Sequence, residues 1–126
     1  MLFRSLSPEL SGKRLELLKD AVPGLSRVAI LWHGGHQAAI LAMQETEAAG
    51  RVLGVQLQSP EVRGPNDFER AFEAATREGA EALIVLSSSF FVAERRRIAD
   101  LVTQSRLPAM FPNRSEERRV GKEYRL

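Results

Sequence analysis

The sequence predicts an α/β domain, a doubly wound three-layer arrangement around a parallel sheet of about four strands. Three observations carry this. Apolar segments alternate in the order α-β-α-β-α-β-α-β; the run 82–86 is wholly apolar, as in a central strand; and every pair of successive strands is separated by a helix-length segment. Crossovers of this kind are right-handed and force parallel pairing, and the order expected of the doubly wound domain, with strands numbered along the chain, is 2-1-3-4.

The first helix opens at Ser7-Pro8, an N-cap followed by a first-turn proline. Leu10, Leu17, Leu18 and Ala21 supply its apolar face, with Lys13, Arg14, Glu16 and Lys19 between them. Pro23-Gly24 stops it, and Val28–Trp32 is a short buried-type strand. The second helix covers 37–53, with Ala39, Ala42, Met43, Thr46, Ala49 and Leu53 inward, and contains Gly50, which costs about 1 kcal/mol relative to Ala. Gly54 ends it. The segment 55–62 alternates Val55 and Leu57 against Gln56 and Gln58, a half-exposed strand.

Gly64-Pro65-Asn66-Asp67 starts the third helix, whose inward face is Phe68, Ala71, Phe72 and Ala75 at i, i+3, i+4 and i+7. Gly79 closes it ahead of the strand 82–86. A fourth helix spans about 91–105, with Ile98, Leu101 and Val102 inward and Ser89 as the expected N-cap. Leu107–Phe111 forms a last short strand, with Pro108 at its beginning or on an edge because proline cannot donate to a ladder.

Composition narrows the function classes. A chain of 126 residues with 44% apolar content suits one domain, and no apolar run approaches a membrane span. Met1–Arg4 leads straight into the capped helix, so no signal peptide is expected. Zero cysteines exclude disulfides, thiolate zinc sites and cysteine nucleophiles. The net charge of +2 lies in residues 114–126, which hold five basic and three acidic groups and leave 13 of each in residues 1–113. A neutral body argues against a nucleic-acid partner. The segment 114–123, RSEERRVGKE, lacks apolar periodicity and resembles one frame of a widely used DNA-sequencing adapter, except that Tyr124 stands where that translation has Cys. Residues 1–113 are therefore expected to be the domain and 114–126 a non-native or disordered tail.

In an open parallel sheet, ligands bind beyond the carboxyl ends of the strands, at the switch in strand order. Trp32–Gln37 and Ser87–Phe90 flank that switch; Ser59–Gly64 and Phe111–Asn113 lie further out. Trp32, His33 and Gly34 offer an aromatic platform, an imidazole and loop backbone whose N–H groups could hold an anion. Ser87 and Ser88 offer hydroxyls for a small polar ligand. Of Phe90 and Phe91, one belongs to the core and the other is free to stack on ligand. The WHGGH stretch is not G-x-G-x-x-G, which argues against a dinucleotide. No carboxylate or cysteine joins His33 and His36 in a metal set, and no G-x-S-x-G elbow supports an esterase. The serines have no positioned base, so no catalytic residue and no cofactor are expected. Arg95–Arg97 reads as a solvated helix face.

The segments LELLK (15–19), VPGLSRVA (22–29), ETEAAGRVLGVQLQ (45–58), EALIVL (81–86), RRRIADL (95–101) and RLPAMF (106–111) resemble a family of bacterial ABC-transporter substrate-binding proteins. The run 11–32 is similar to the start of that family's second lobe, and the resemblance covers roughly 7–111. It implies one Rossmann-like lobe of a two-lobed, periplasmic-binding-protein-like fold. In that family the lobes close on a small molecule, in some members an amino acid, and deliver it to a membrane permease. It further implies that the intact parent is periplasmic or a lipid-anchored surface protein and that this chain is a fragment, with one face of the ligand meeting Trp32, His33, Gly34, Ser87, Ser88 and Phe90. His33-Gly34-Gly35-His36 replaces an Asn-Pro-type segment, and Ser87-Ser88-Ser89 an Asp-containing loop, so ligand identity is not carried over. Two other classes use the same architecture: a ligand-sensing regulatory domain, and a flavodoxin-like enzyme with an acid–base group near Ser87 or His33. An open strand edge and cleft face also predict a chain that is monomeric at best and prone to non-specific self-association.

Overall fold

The computed structural model describes residues 7–35 and 37–111, with the side chains of 7–12 left aside. The expectations placed on Leu10, His36, Asn113 and the tail 114–126 fall outside the described residues or side chains. In chain order the elements are α1 (Ser7–Ala21), β1 (Arg27–His33), α2 (Gln37–Leu53), β2 (Gln56–Gln58), β3 (Glu61–Val62), α3 (Phe68–Arg77), β4 (Ala82–Val85), α4 (Ser89–Ala93), α5 (Arg95–Ser105) and β5 (Ala109–Met110), with a 3-10 turn at Pro65–Asp67 before α3. All pairings are parallel and the sheet order is β2-β1-β4-β5, with β3 also on β1. This is the predicted order 2-1-3-4.

The alternation of β1 divides the core into two layers. Val28 and Ile30, with Ala82 and Ile84 of β4, face Leu15 and Leu18 of α1 and Met43 and Ala49 of α2. Ala29 and Leu31, with Leu83 and Val85, face Phe68, Ala71, Phe72 and Ala75 of α3 and Ile98 of α5. Successive strand side chains point to opposite faces, so a sheet apolar at every position must be covered on both. Each of the four α3 residues named from helical spacing is buried.

Three elements depart from the expectation. On α1 the buried pair is Leu15 and Leu18, while Leu17 is 48% exposed and Ala21 exposed. The stripe that reaches the sheet runs Leu15, Leu18, Val22, Leu25, at i, i+3, i+7 and i+10. That rotation turns Arg14 inward, where desolvation holds its guanidinium below its ordinary pKa. The predicted strand 55–62 is two strands, because Pro60 has no N–H to give the ladder. The predicted helix 91–105 starts two residues early and is divided at Glu94, whose φ of −103° and ψ of 17° depart from helical values.

Gly50 has a packing reason. A Cβ there would lie 2.8 Å from Leu57 Cδ1 and 3.2 Å from the Val55 carbonyl, where β2 passes the helix end. The Gly50 carbonyl itself accepts the Val55 N–H at 2.9 Å. Thr46, fully buried on the same helix, satisfies its hydroxyl on the Ala42 carbonyl at 2.8 Å. At the same end of the sheet the Glu81 carboxylate accepts the backbone N–H groups of Ser26 and Arg27 at 2.8 and 3.2 Å, latching the start of β1 to that of β4. These two bonds hold its pKa below the usual carboxylate range. Pro108 immediately precedes β5 and gives its carbonyl to Leu83 N–H at 2.9 Å, so the missing donor costs nothing there.

Candidate functional site

β1 and β4 are neighbours, yet the next strand in sequence after β1 lies on its other side. That reversal of direction marks the switch point at their carboxyl ends, where His33 meets Ser88 and Phe90, with Trp32, Gly34 and Ser87 next to them in the chain.

The structure sorts these six residues into two groups. His33 sits on the α3/α5 side, its ring centroid 4.7 Å from that of Phe90 and 6.0 Å from that of Phe91. Phe90 stacks on Phe68 at 5.6 Å and an interplanar angle of 11°. Phe91 is the core member of the Phe pair and Phe90, half-buried, is the one at the crevice. Trp32, one residue before His33, turns to the opposite face and packs with the α1/α2 layer. Its indole N–H donates to the Ser59 carbonyl at 3.0 Å, at the break between β2 and β3. The strand end thus presents aromatic rings on both faces rather than one continuous platform.

Ser88, not Ser89, is the N-cap of α4. Its backbone is extended, φ −165° and ψ 138°, and its hydroxyl accepts the N–H groups of Phe90 and Phe91 at 3.1 and 3.4 Å. The same Oγ lies 3.2 Å from His33 Nδ1. Ser88 is 7% exposed, so its hydroxyl is a buried, fully engaged group that joins the ends of β1 and β4. Ser87 is half-buried and immediately precedes Ser88, the residue that the structure places against His33.

Gly34 is buried, and its N–H donates to the Val62 carbonyl at 3.0 Å, extending the β1–β3 ladder by one residue. The amide expected to hold an anion is therefore already committed, and the glycine contributes space instead. A Cβ at position 34 would collide with the Glu61 carboxylate, which bonds Arg63 Nε at 2.7 Å. Glu61 was not among the residues picked out by sequence. The signal for it is register: Glu61 pairs with Trp32, which puts an acidic side chain at the crevice edge. Next to it, the Asp67 carboxylate accepts the N–H groups of Arg63 and Gly64 at 2.9 and 3.2 Å, bonds that lower its pKa and fix the turn into α3.

Elsewhere, an open groove of about 740 Å³ runs between α3 and α5, lined by Phe72, Glu73, Thr76, Leu101 and Ser105 among others. It lies on the outer helical face, away from the strand ends. Arg95, Arg96 and Arg97 are exposed, and Arg97 pairs with Glu69 at 3.2 Å. Among the described residues no group of three His, Asp or Glu side chains could hold a metal ion, and no helix is long and apolar enough to cross a membrane.

No protein-family model and no curated protein matches the chain. Solved structures do match in fold. An extracellular ligand-binding receptor from Verminephrobacter eiseniae aligns over 93% of this chain and 34% of its own, with a TM-score of 0.72 and 12% identity. An ABC domain from Streptococcus pneumoniae in complex with L-Trp aligns over 88% and 37%, with a TM-score of 0.75 and 15% identity. A fatty acid ABC transporter substrate-binding protein from Thermomonospora curvata aligns over 90% and 29%, with a TM-score of 0.70 and 15% identity. The chain thus has the α/β architecture found in substrate-binding proteins and spans about a third of the length of the structures it matches.

Proposed function

We propose that this chain forms one wall of the ligand-binding cleft of an ABC-transporter solute-binding protein. The observation that carries the reading is the convergence of His33, Ser88 and Phe90 at the switch point between β1 and β4, within a fold shared with substrate-binding structures. Trp32, His33, Gly34, Ser87 and Phe90 contact a small solute directly or shape the edge it meets, and Ser88 supports them from beneath. A second lobe supplies the facing wall, and the closed protein, periplasmic or anchored by lipid at the cell surface, hands its solute to a permease. The ring-rich, hydroxyl-bearing crevice suits a solute with both an apolar and a polar end, such as an amino acid. It binds: the sequence expectation that no base stands beside the serines fails at Ser88, which lies 3.2 Å from His33 Nδ1, but that hydroxyl is 7% exposed and held as the α4 cap, which argues against a nucleophile.

Calorimetric titration of the 126-residue chain with L-tryptophan and L-leucine tests this. With half the contact surface absent, the expected dissociation constant is about 1 mM or weaker, equivalent to no more than ~4 kcal/mol. Low-micromolar binding by the chain alone would overturn the one-wall reading.

A further inference from the structure

The Ser88 hydroxyl has one proton to donate and two lone pairs with which to accept. Phe90 N–H and Phe91 N–H, at 3.1 and 3.4 Å, occupy both lone pairs. The third neighbour, His33 Nδ1 at 3.2 Å, is left to receive the hydroxyl proton. We infer that Ser88 is a positioning residue that fixes the neutral His33 ring as its Nε2–H tautomer, tying the end of β1 to the first turn of α4.

The rest of the environment holds the ring in the orientation this bond needs. His33 packs on Phe90, Phe90 stacks on Phe68, and Phe91 closes the third side, with ring centroids 4.7 to 6.0 Å apart. Ser88 cannot turn away, because rotating its hydroxyl would strip the α4 cap from a group only 7% exposed. One helix cap therefore sets both the start of α4 and the proton position on the imidazole. The tautomer assignment does not depend on the proposed cleft, and the two can fail separately.

Nitrogen-15 NMR of the imidazole reads the tautomer without any ligand. In the full chain carrying His36→Gln, His33 is the sole histidine. At pH ~8.5, about two units above the ordinary imidazole value, its Nδ1 is expected to be pyridine-like and its Nε2 pyrrole-like, with a preference of roughly fivefold or more from one hydrogen bond. Ser88→Ala removes the donor and shifts this ratio by about that factor. Ser88→Asp keeps a good N-cap but offers only an acceptor, so it moves the proton to Nδ1, whereas Ser88→Thr keeps the native tautomer. The Asp and Thr variants retain the cap and read the proton position even if Ser88→Ala fails to fold. A native chain with the proton on Nδ1, or an Asp variant that keeps it on Nε2, would overturn the assignment.

Discussion

Phe68→Ala is expected to lower the unfolding free energy by about 3–5 kcal/mol, the range for removing a buried aromatic side chain. The residue is fully buried at the first turn of α3 and is in ring contact with Phe90 and Phe91. Its loss opens a cavity beneath the crevice and removes the stacking partner of Phe90, which is worth about 0.5–1.5 kcal/mol beyond burial. A domain of this size is stable by roughly 5–15 kcal/mol, so the change removes a large share of the total. Phe68→Leu, which keeps much of the volume, should cost about 1.5 kcal/mol. Urea denaturation of the two variants reads both numbers. A loss below ~1 kcal/mol for Phe68→Ala would mean that the α3 layer does not support the crevice.

Trp32→Ala is expected to cost about 3 kcal/mol, at the low end of the aromatic range because the indole is only partly buried. The side chain packs in the α1/α2 layer and bonds the Ser59 carbonyl at 3.0 Å, where Pro60 interrupts the ladder. Trp32→Phe keeps the packing and loses that bond, so it should cost about 1 kcal/mol. A residue serving purely as an exposed platform for ligand would change stability by no more than ~0.5 kcal/mol on truncation. Denaturation midpoints of the two variants separate an anchoring indole from a free one.

These two residues show what was legible from sequence and what was not. The alternation of segments gave the architecture and the sheet order because crossover handedness and chain length leave few topologies open. Phe68 was found by helical spacing, since α3 packs one face on the sheet and nothing else competes for it. On α1 the expected Leu18 is buried, but Leu15, not named from spacing, takes the inward place given to Leu17: the leucines are chemically alike, and only packing against Val28 and Ile30 decides among them. Trp32 and His33 were read together as one surface, although the strand's two-residue period sends them to opposite faces. Ser88 was passed over as N-cap for Ser89, since three consecutive serines are equivalent locally. What selects Ser88 is the position of His33, 55 residues away, within reach of its hydroxyl. Glu61 was missed for the same reason: a strand register, and not a motif, brings it to Gly34.

The most direct test of the account is where a solute touches the chain. Backbone amide shifts of the nitrogen-15-labelled 126-residue chain, followed during titration with L-tryptophan to millimolar concentration, report this residue by residue. Weak shifts, still rising at millimolar concentration, are expected at His33–Gly35 and Ser87–Phe90, with little change along α3 and α5. Shifts clustered instead around Phe72, Thr76, Leu101 and Ser105 would place the binding surface in the outer groove and contradict it, as would a spectrum unmoved by L-tryptophan, L-leucine and a medium-chain fatty acid alike.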